Sequence, residues 1–149
     1  MPPARRATAQ PDDVSAPLRV CFLGSGSRGN ATLVSCGETR ILLDCGFTAL
    51  EVARRLGAVG VDPDTLTAVV VTHGHGDHTR GIDVLARRHA LPVLLTEGTL
   101  TDSRLPQGPD RRGRRIDVTT VEAGSSFRLG DVEVRPFATP HDARGSLGF

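Results

Sequence analysis

Short apolar runs separated by glycine-rich and polar turns predict a series of strands along this chain. Leu18–Leu23 predicts a first strand, and Ala31–Ser35 with Thr39–Leu43 predict a hairpin that turns at residues 36–38. The apolar run Ala68–Val71 predicts a further strand, which ends where alternating glycines begin. Later strands are predicted at Pro92–Leu95, Ile116–Val121, Ser126–Leu129 and Val132–Phe137, the last three as an antiparallel meander.

Helices are predicted between these strands. Thr48 and Glu51 have the spacing of a capping box, which opens a helix through about Leu56. A second helix is predicted from His78 to about His89, and a short one over residues 97–104. Alternating strands and helices predict an α/β (α+β) layered domain. The expected inward side chains are Leu50, Ala53 and Leu56 in the first helix and Ile82, Leu85 and Ala86 in the second, with Arg80, Arg87 and Arg88 outward.

The 149 residues are enough for one domain with a core of its own. Residues 1–17 are rich in proline, alanine and polar residues and lack an apolar signal-peptide region, so we expect a disordered leader before a domain at 18–149. No apolar run approaches the length of a membrane span, which predicts no membrane partner. Cys21, Cys36 and Cys45 are predicted to be buried thiols in a reducing cytoplasm, with a metal role for Cys45, which follows Asp44, as the weaker alternative.

The net charge of +1 does not by itself indicate a nucleic-acid partner, and every basic side chain is arginine. Arginines are nevertheless concentrated in the loop-like segment between Arg104 and Arg115. A solvated loop is one interpretation of this segment. The other is a phosphate-contacting patch that includes Arg111 and Arg112, because the planar guanidinium suits phosphate oxygens.

The strongest chemical signal is the run His73-Gly74-His75-Gly76-Asp77-His78, directly after a predicted strand. Glycine at alternate positions ends the strand and allows the loop to bend back on itself. Imidazole and carboxylate are ligands for zinc and similar divalent ions. Four of the five histidines lie here or at His141, so the run predicts a metal site.

His73-x-His75-x-Asp77-His78 after a strand resembles the defining motif of the metallo-β-lactamase fold, an αββα sandwich with a metal site at one edge. Residues 23–34, 43–47 and 140–143 are similar to the YycJ/WalJ-type branch of that family. The resemblance covers residues 18–149 and implies a cytoplasmic, nuclease-type hydrolase that acts on nucleic acid. No segment indicates an obligate protein partner.

The resemblance also implies roles for single residues and two divalent ions, zinc or manganese. His73, His75 and His141 would bind the first ion, and Asp77 and His78 the second. Asp77 would also orient the attacking hydroxide, and Asp44 would support the site from below. The implied substrate contacts are Ser25, Ser27 and Asn30. Independently of the resemblance, the arginine loop would hold flanking phosphates through Arg111 and Arg112.

Two features depart from the family pattern. Gly74 and Gly76 stand where larger residues are usual, which predicts a more flexible loop. The later aspartate and histidine that complete the second metal site are absent from the sequence, so we expect only the N-terminal portion of the sandwich.

Three functions follow as hypotheses. The first is a phosphodiesterase or 5′-to-3′ exonuclease that uses a metal-activated water. The second is a small thioester or ester hydrolase of the same fold, although such enzymes carry Gly-Gly and Gly-His-Thr where this chain has Arg80-Gly81 and Pro140-His141-Asp142. The third is an inactive metal-binding fragment.

Overall fold

A computed structural model of the chain describes residues 16–149. The predicted leader, apart from Ala16 and Pro17, lies outside the described residues. The main sheet has six strands in the order of the sequence. The first three are antiparallel neighbours, and the last three continue the sheet in parallel. The strands are β1 (Arg19–Gly24), β2 (Ala31–Cys36), β3 (Thr39–Leu43), β4 (Ala68–Val70), β5 (Pro92–Leu95) and β6 (Asp117–Thr120).

Helices connect the parallel strands and cover one face of the sheet. They are α1 (Ala49–Ala58), α2 (Gly76–Thr79), α3 (Ile82–His89) and α4 (Glu97–Ser103), with a 3₁₀ turn at Pro63–Thr65. The main hydrophobic core lies between this face and the helices, where Leu42, Val69 and Val93 meet Leu56 and Leu85. Burial of these apolar side chains is the principal force that holds helices to sheet.

The predicted inner face of the first helix is wrong at Leu50, whereas that of the second helix holds at Ile82, Leu85 and Ala86, which are all buried, and only Arg87 departs from it. Leu50 is 78% exposed, whereas Val52 and Leu56 are fully buried, so the inner face of α1 is rotated from the predicted one. Arg87 was expected outside but is 6% exposed, and its guanidinium pairs with Asp83 at 2.6 Å. Helical spacing alone fits more than one face, and a buried arginine needs partners that only the fold supplies.

The single long helix predicted over residues 78–89 is two helices, α2 and α3, with a break at Arg80 and Gly81. At Thr48 the predicted cap is present, because its hydroxyl accepts the N–H of Glu51 at 3.3 Å. The Glu51 carboxylate, however, binds Arg54 and Arg55 on the surface of α1.

The predicted three-stranded meander is present only in its last two strands, which pair antiparallel. β6 joins the main sheet in parallel with β5, from Pro92 opposite Asp117 to Leu95 opposite Thr120. β7 (Phe127–Leu129) and β8 (Val132–Val134) form a separate hairpin, and β9 (Phe137–Ala138) pairs with β10 (Leu147–Gly148). Apolar alternation marks a strand but does not state which strand it joins or in which direction.

The second face of the main sheet is apolar too. Val34, Ile41, Leu43 and Val70 point to this side, and the β7–β8 hairpin packs over part of it. Toward β1 the face is open, forming a groove of about 400 Å³. Val20 is 55% exposed and Phe22 77% exposed there. This sheet therefore presents apolar side chains in both directions, as the central sheets of layered folds do.

Two further expectations can be compared with the described residues. Cys45 is buried, but Cys21 and Cys36 are only partly buried, and all three are free thiols. In the described part of the chain, no helix has the length and hydrophobicity required to cross a bilayer.

Candidate metal centre

The predicted ligands converge at one edge of the main sheet. β3 and β4 are parallel, so their carboxyl ends meet at the same edge. Asp44 follows β3 directly, and His73 lies three residues after the end of β4. The backbone N–H of Asp44 donates to the carbonyl of Val70 at 2.9 Å, which ties these two strand ends together.

Three histidines form the centre of the site. His73, His75 and His141 each offer one ring nitrogen, and these atoms all lie within 4.8 Å of one another. The ring centroids of His73 and His141 are 4.3 Å apart, and those of His73 and His75 are 4.8 Å apart. Three convergent imidazoles with this spacing fit a zinc ion or a similar divalent ion, which takes nitrogen ligands at about 2.0–2.1 Å.

His141 reaches the centre because the segment that follows it is fastened at two points. The N–H of Leu147 donates to the carbonyl of Thr72 at 2.8 Å, next to His73. The N–H of Arg144 donates to the Asp102 carboxylate of α4 at 2.8 Å. A residue remote in sequence is thereby held beside the histidine loop.

The three rings differ in environment. His73 is buried, and this burial, with the nearby charges of His78 and His141, lowers its pKa to about 4. His73 is therefore neutral at pH 7, the form that binds a metal ion. The side chains of His75 and His141 are 41% and 38% exposed, so the centre is open toward solvent on that side.

Asp77 and His78 form a neighbouring pair. Nε2 of His78 lies 3.6 Å from Oδ2 of Asp77, and its ring centroid lies 3.9 Å from that of His73. These atoms are close enough to reach one shared ion. The structure thus brings all five predicted metal ligands to one place, in a group of three and an adjacent pair.

Asp44 supports this pair from beneath. Its Oδ2 lies 2.7 Å from Nδ1 of His78, and its Oδ1 accepts the backbone N–H of Thr72 at 2.8 Å. Burial would lower the pKa of His78, but the hydrogen bond and charge of Asp44 outweigh it and raise that pKa. A carboxylate on Nδ1 fixes the tautomer and leaves Nε2 directed at the metal side.

Asn30 lies beside Asp77 and His78 and contacts both side chains. Its Nδ2 lies 3.2 Å from Oδ2 of Asp77 and 3.1 Å from Nε2 of His78. Its Oδ1 accepts the N–H of Gly26 at 3.0 Å, and its own N–H donates to the carbonyl of Asp77 at 2.8 Å. Ser25 and Ser27 are exposed on the same loop.

Two glycines allow close backbone approach at the site. A Cβ on Gly46 would lie 1.6 Å from the carbonyl oxygen of Asp77. A Cβ on Gly74 would lie 2.6 Å from Cβ of Asp102, so this glycine packs against α4 as well as allowing the bend. Gly76 has open space around it and begins α2.

Arg111 and Arg112 are not brought to the histidines. Their loop enters β6, whose first residue lies opposite Pro92, the first residue of β5. The histidines stand at the carboxyl ends of the parallel strands, so the arginine loop lies at the opposite edge of the sheet. Both side chains are exposed there.

Sequence reasoning missed one residue of the site. The Thr72 hydroxyl lies 2.8 Å from Oδ2 of Asp44 and 2.9 Å from Nδ1 of His73. It connects the supporting carboxylate to one of the candidate ligand histidines. The available signal was a hydroxyl residue between the end of a buried strand and the first histidine.

Comparison with known proteins agrees with this geometry. The sequence matches the family described as "Beta-lactamase superfamily domain" over residues 39–148. The chain is 29% identical over 129 residues to exodeoxyribonuclease WalJ of Streptococcus pneumoniae, a match that covers 85% of this chain and 46% of that protein. It is 34% identical over 151 residues to ribonuclease Z of Gemmatimonas aurantiaca, with 89% and 46% covered.

Among solved structures, the Rm3 metallo-beta-lactamase is similar with a TM-score of 0.69 and 23% identity. The match covers 86% of this chain and 51% of that one. The chain thus spans about half the length of the curated relatives it matches. The predicted fold is confirmed, and the chain belongs to the beta-lactamase superfamily, with the fold of the metallo-β-lactamases.

Proposed function

We propose that this chain carries the metal centre of a phosphodiesterase that acts on nucleic acid, as a 5′-to-3′ exonuclease. The observation that carries the proposal is the convergence of His73, His75 and His141, with one nitrogen from each within 4.8 Å of the others. The similar proteins named exodeoxyribonuclease WalJ and ribonuclease Z support nucleic acid as the substrate class. A cytoplasmic location is proposed with it, since the substrate is found there and the three thiols are free.

We assign the ligands to two divalent ions, zinc or manganese. His73, His75 and His141 would hold the first, and Asp77 with His78 the second. Bound divalent ions would polarise a phosphate and lower the pKa of a coordinated water molecule toward neutrality. Each residue has a suitable donor atom in place, and the Asp77 and His78 donors lie 3.6 Å apart.

The protein's own residues prepare this site in three ways. Burial keeps His73 neutral at pH 7. Asp44 orients His78, and Asn30 holds Asp77 through both its main chain and its side chain. The exposed sides of His75 and His141 leave room for a phosphodiester. In this assignment Asp77 would be the catalytic carboxylate, which would help to hold the second ion and orient the attacking water.

The first experiment is metal content followed by cleavage. We would measure bound zinc and manganese per chain by elemental analysis, and then the degradation of a 5′-labelled strand. His75→Ala should lose the metal and the cleavage together. His89→Ala is the matched control, because His89 pairs with Asp64 outside the site and should retain both.

Three outcomes would contradict the proposal. Retained metal and cleavage in His75→Ala would remove the histidine centre from the reaction. Cleavage of a thioester but not of the strand would favour the small-molecule hydrolase. A chain that binds no metal would be the inactive fragment.

A further inference from the structure

The arginine-rich segment has a defined structure at the edge of the sheet opposite the histidines. Between residues 104 and 115 the chain carries five arginines and one carboxylate, Asp110, although its net charge is only +1. Five of the 18 arginines thus lie within 12 residues, with a single acidic residue among them. Such a local concentration of one sign attracts ligands of the opposite sign.

Hydrogen bonds hold the loop in one shape. The Asp110 carboxylate accepts the backbone N–H groups of Arg112 at 2.8 Å and Arg114 at 2.9 Å, and also pairs with the Arg114 guanidinium. These bonds, those from Arg114 first, lower the pKa of Asp110 to about 2. The one acidic group of the segment is thus engaged within the loop.

The buried Arg87 fastens this loop to α3. Its guanidinium donates to the carbonyl oxygens of Arg114 and Pro106, the latter at 3.1 Å, while Asp83 balances its charge. The next residue, Arg88, is consequently placed beside the loop. Arg88, Arg112 and Arg114 together line a cavity of about 370 Å³, with Val84 as the fourth lining residue.

Most arginines of this surface have no acidic partner within the described structure. Across residues 16–149, salt bridges engage Arg87 and Arg114, whereas none is formed by Arg88 or Arg112. Both of these side chains are exposed. Hydrogen bonds fix the backbone that carries Arg112, and the planar guanidinium suits phosphate oxygens.

We propose that Arg88, Arg112 and Arg114 form a second phosphate-binding surface, which holds the backbone of a nucleic-acid strand away from the histidine centre. This proposal rests on the proposed function for the identity of the strand. The four residues of β5 alone separate the two edges by about 10 Å, at about 3.3 Å per residue. The surface therefore meets phosphates beyond the first few nucleotides, which are spaced about 3.4 Å apart in a duplex strand.

The test is direct strand binding by the full chain in the presence of a chelator, so that hydrolysis plays no part. A fluorescent strand of about 24 nucleotides is titrated, and the affinity is followed against salt concentration. The variant Arg88→Glu/Arg112→Glu should bind at least about tenfold more weakly, with a salt slope smaller by about 1.4, because each lost single-strand phosphate contact removes about 0.7. Arg114 is left unchanged because it holds Asp110.

The matched control is Arg19→Glu/Arg128→Glu, which makes the same charge change at two exposed arginines outside the surface. It should retain most of the affinity and the salt slope. When the distal phosphates of the strand are replaced by neutral methylphosphonates, the two double variants should bind it with equal affinity. Circular dichroism confirms that all the proteins are folded.

The outcomes separate this proposal from the proposed function. Equal affinity and equal salt slope in the two double variants would overturn the surface, whether or not the metal-loaded chain cleaves DNA. Tighter binding of a polyglutamate peptide than of the strand would also overturn the proposed surface. Loss of cleavage with intact, arginine-dependent strand binding would overturn the proposed function and leave this surface standing.

Discussion

Oδ2 of Asp44 lies 2.7 Å from Nδ1 of His78, and this contact directs the opposite ring nitrogen, Nε2, toward Asp77. Asp44 itself has a φ of +61°, in the left-handed region that few residues other than glycine, asparagine and aspartate adopt readily. The carboxylate is thus placed under His78 by an unusual backbone conformation. Asparagine tolerates that conformation too, so replacing Asp44 with asparagine removes the charge without straining the backbone.

Asp44→Asn should keep the fold and weaken zinc binding by about 10–100-fold, the usual cost of losing a supporting carboxylate. The charge that stabilises the His78 N–H is removed, while the backbone conformation is retained. Competition with a chromophoric chelator measures the affinity. Asp117→Asn, at an exposed position in β6, should bind zinc as the unchanged protein does. Unaltered affinity in Asp44→Asn would show that His78 does not depend on this contact.

Asn30→Ala should destabilise the protein by about 1–3 kcal/mol, because partners in the site wall lose their hydrogen bonds. The side chain contacts Gly26, Asp77 and His78 at 3.0–3.2 Å. The free energy of unfolding is measured in urea. Ser27→Ala changes an exposed hydroxyl on the same loop and should stay within about 0.5 kcal/mol. Equal stability of the two variants would mean that Asn30 does not hold the loop.

Gly46→Ala and Gly57→Ala should have opposite effects. At position 46 the new Cβ would lie 1.6 Å from the Asp77 carbonyl oxygen, so we expect a loss of more than about 4 kcal/mol or failure to fold. At position 57, inside α1, nothing lies within 4 Å, and alanine should stabilise the helix by up to about 1 kcal/mol. Thermal denaturation of both variants tests the pair, and a well-folded Gly46→Ala would show that these loops can separate.

Cys45 should resist alkylation in the folded chain. Burial, and then the charge of Asp44, raises the pKa of its thiol from 9.0 to about 12. Iodoacetamide at pH 8 should therefore label Cys21 and Cys36, which are partly exposed, and leave Cys45 unlabelled until urea is added. Mass spectrometry of the peptides reads out the sites, and rapid labelling of Cys45 in the native protein would contradict its burial.

The raised pKa of the Cys45 thiol makes the stability of the fold depend on pH in the alkaline range. A raised pKa means that the folded state holds this proton more tightly than the unfolded state does. The contribution of Cys45 is therefore complete below pH 9 and declines as the pH rises from about 9 to about 12. Urea midpoints measured at pH 7 and pH 10 should show this decline, and Cys45→Ala should show less of it.

The histidine centre was predictable because its signal is local. His73, His75, Asp77 and His78 lie within six residues, at the end of an apolar run that reads clearly as a buried strand. His141 is different, since it depends on hydrogen bonds from Leu147 to Thr72 and from Arg144 to Asp102. No spacing in the sequence encodes those contacts, and the assignment of His141 as a ligand of the first ion came from the family resemblance.

The errors have a common physical origin. Leu50 and Val52 are both apolar, and only the docking of α1 on the sheet decides which of them is buried. Arg87 is buried because its guanidinium donates to the carbonyl oxygens of Pro106 and Arg114. These residues are remote in sequence, so the pattern within the helix does not indicate them. The place of β6 beside β5 likewise follows from tertiary packing. Each error concerns a partner remote in sequence.

The open groove beside Val20 and Phe22 also affects how this protein can be handled. Contiguous apolar side chains on a sheet surface attract each other, detergents and hydrophobic dyes, so we expect light scattering to rise with protein concentration. Replacing Phe22, which is 77% exposed, with a charged residue should improve solubility at no cost to the core. None of the described residues that line this groove is a candidate metal ligand, so the groove can be altered without replacing any of those ligands.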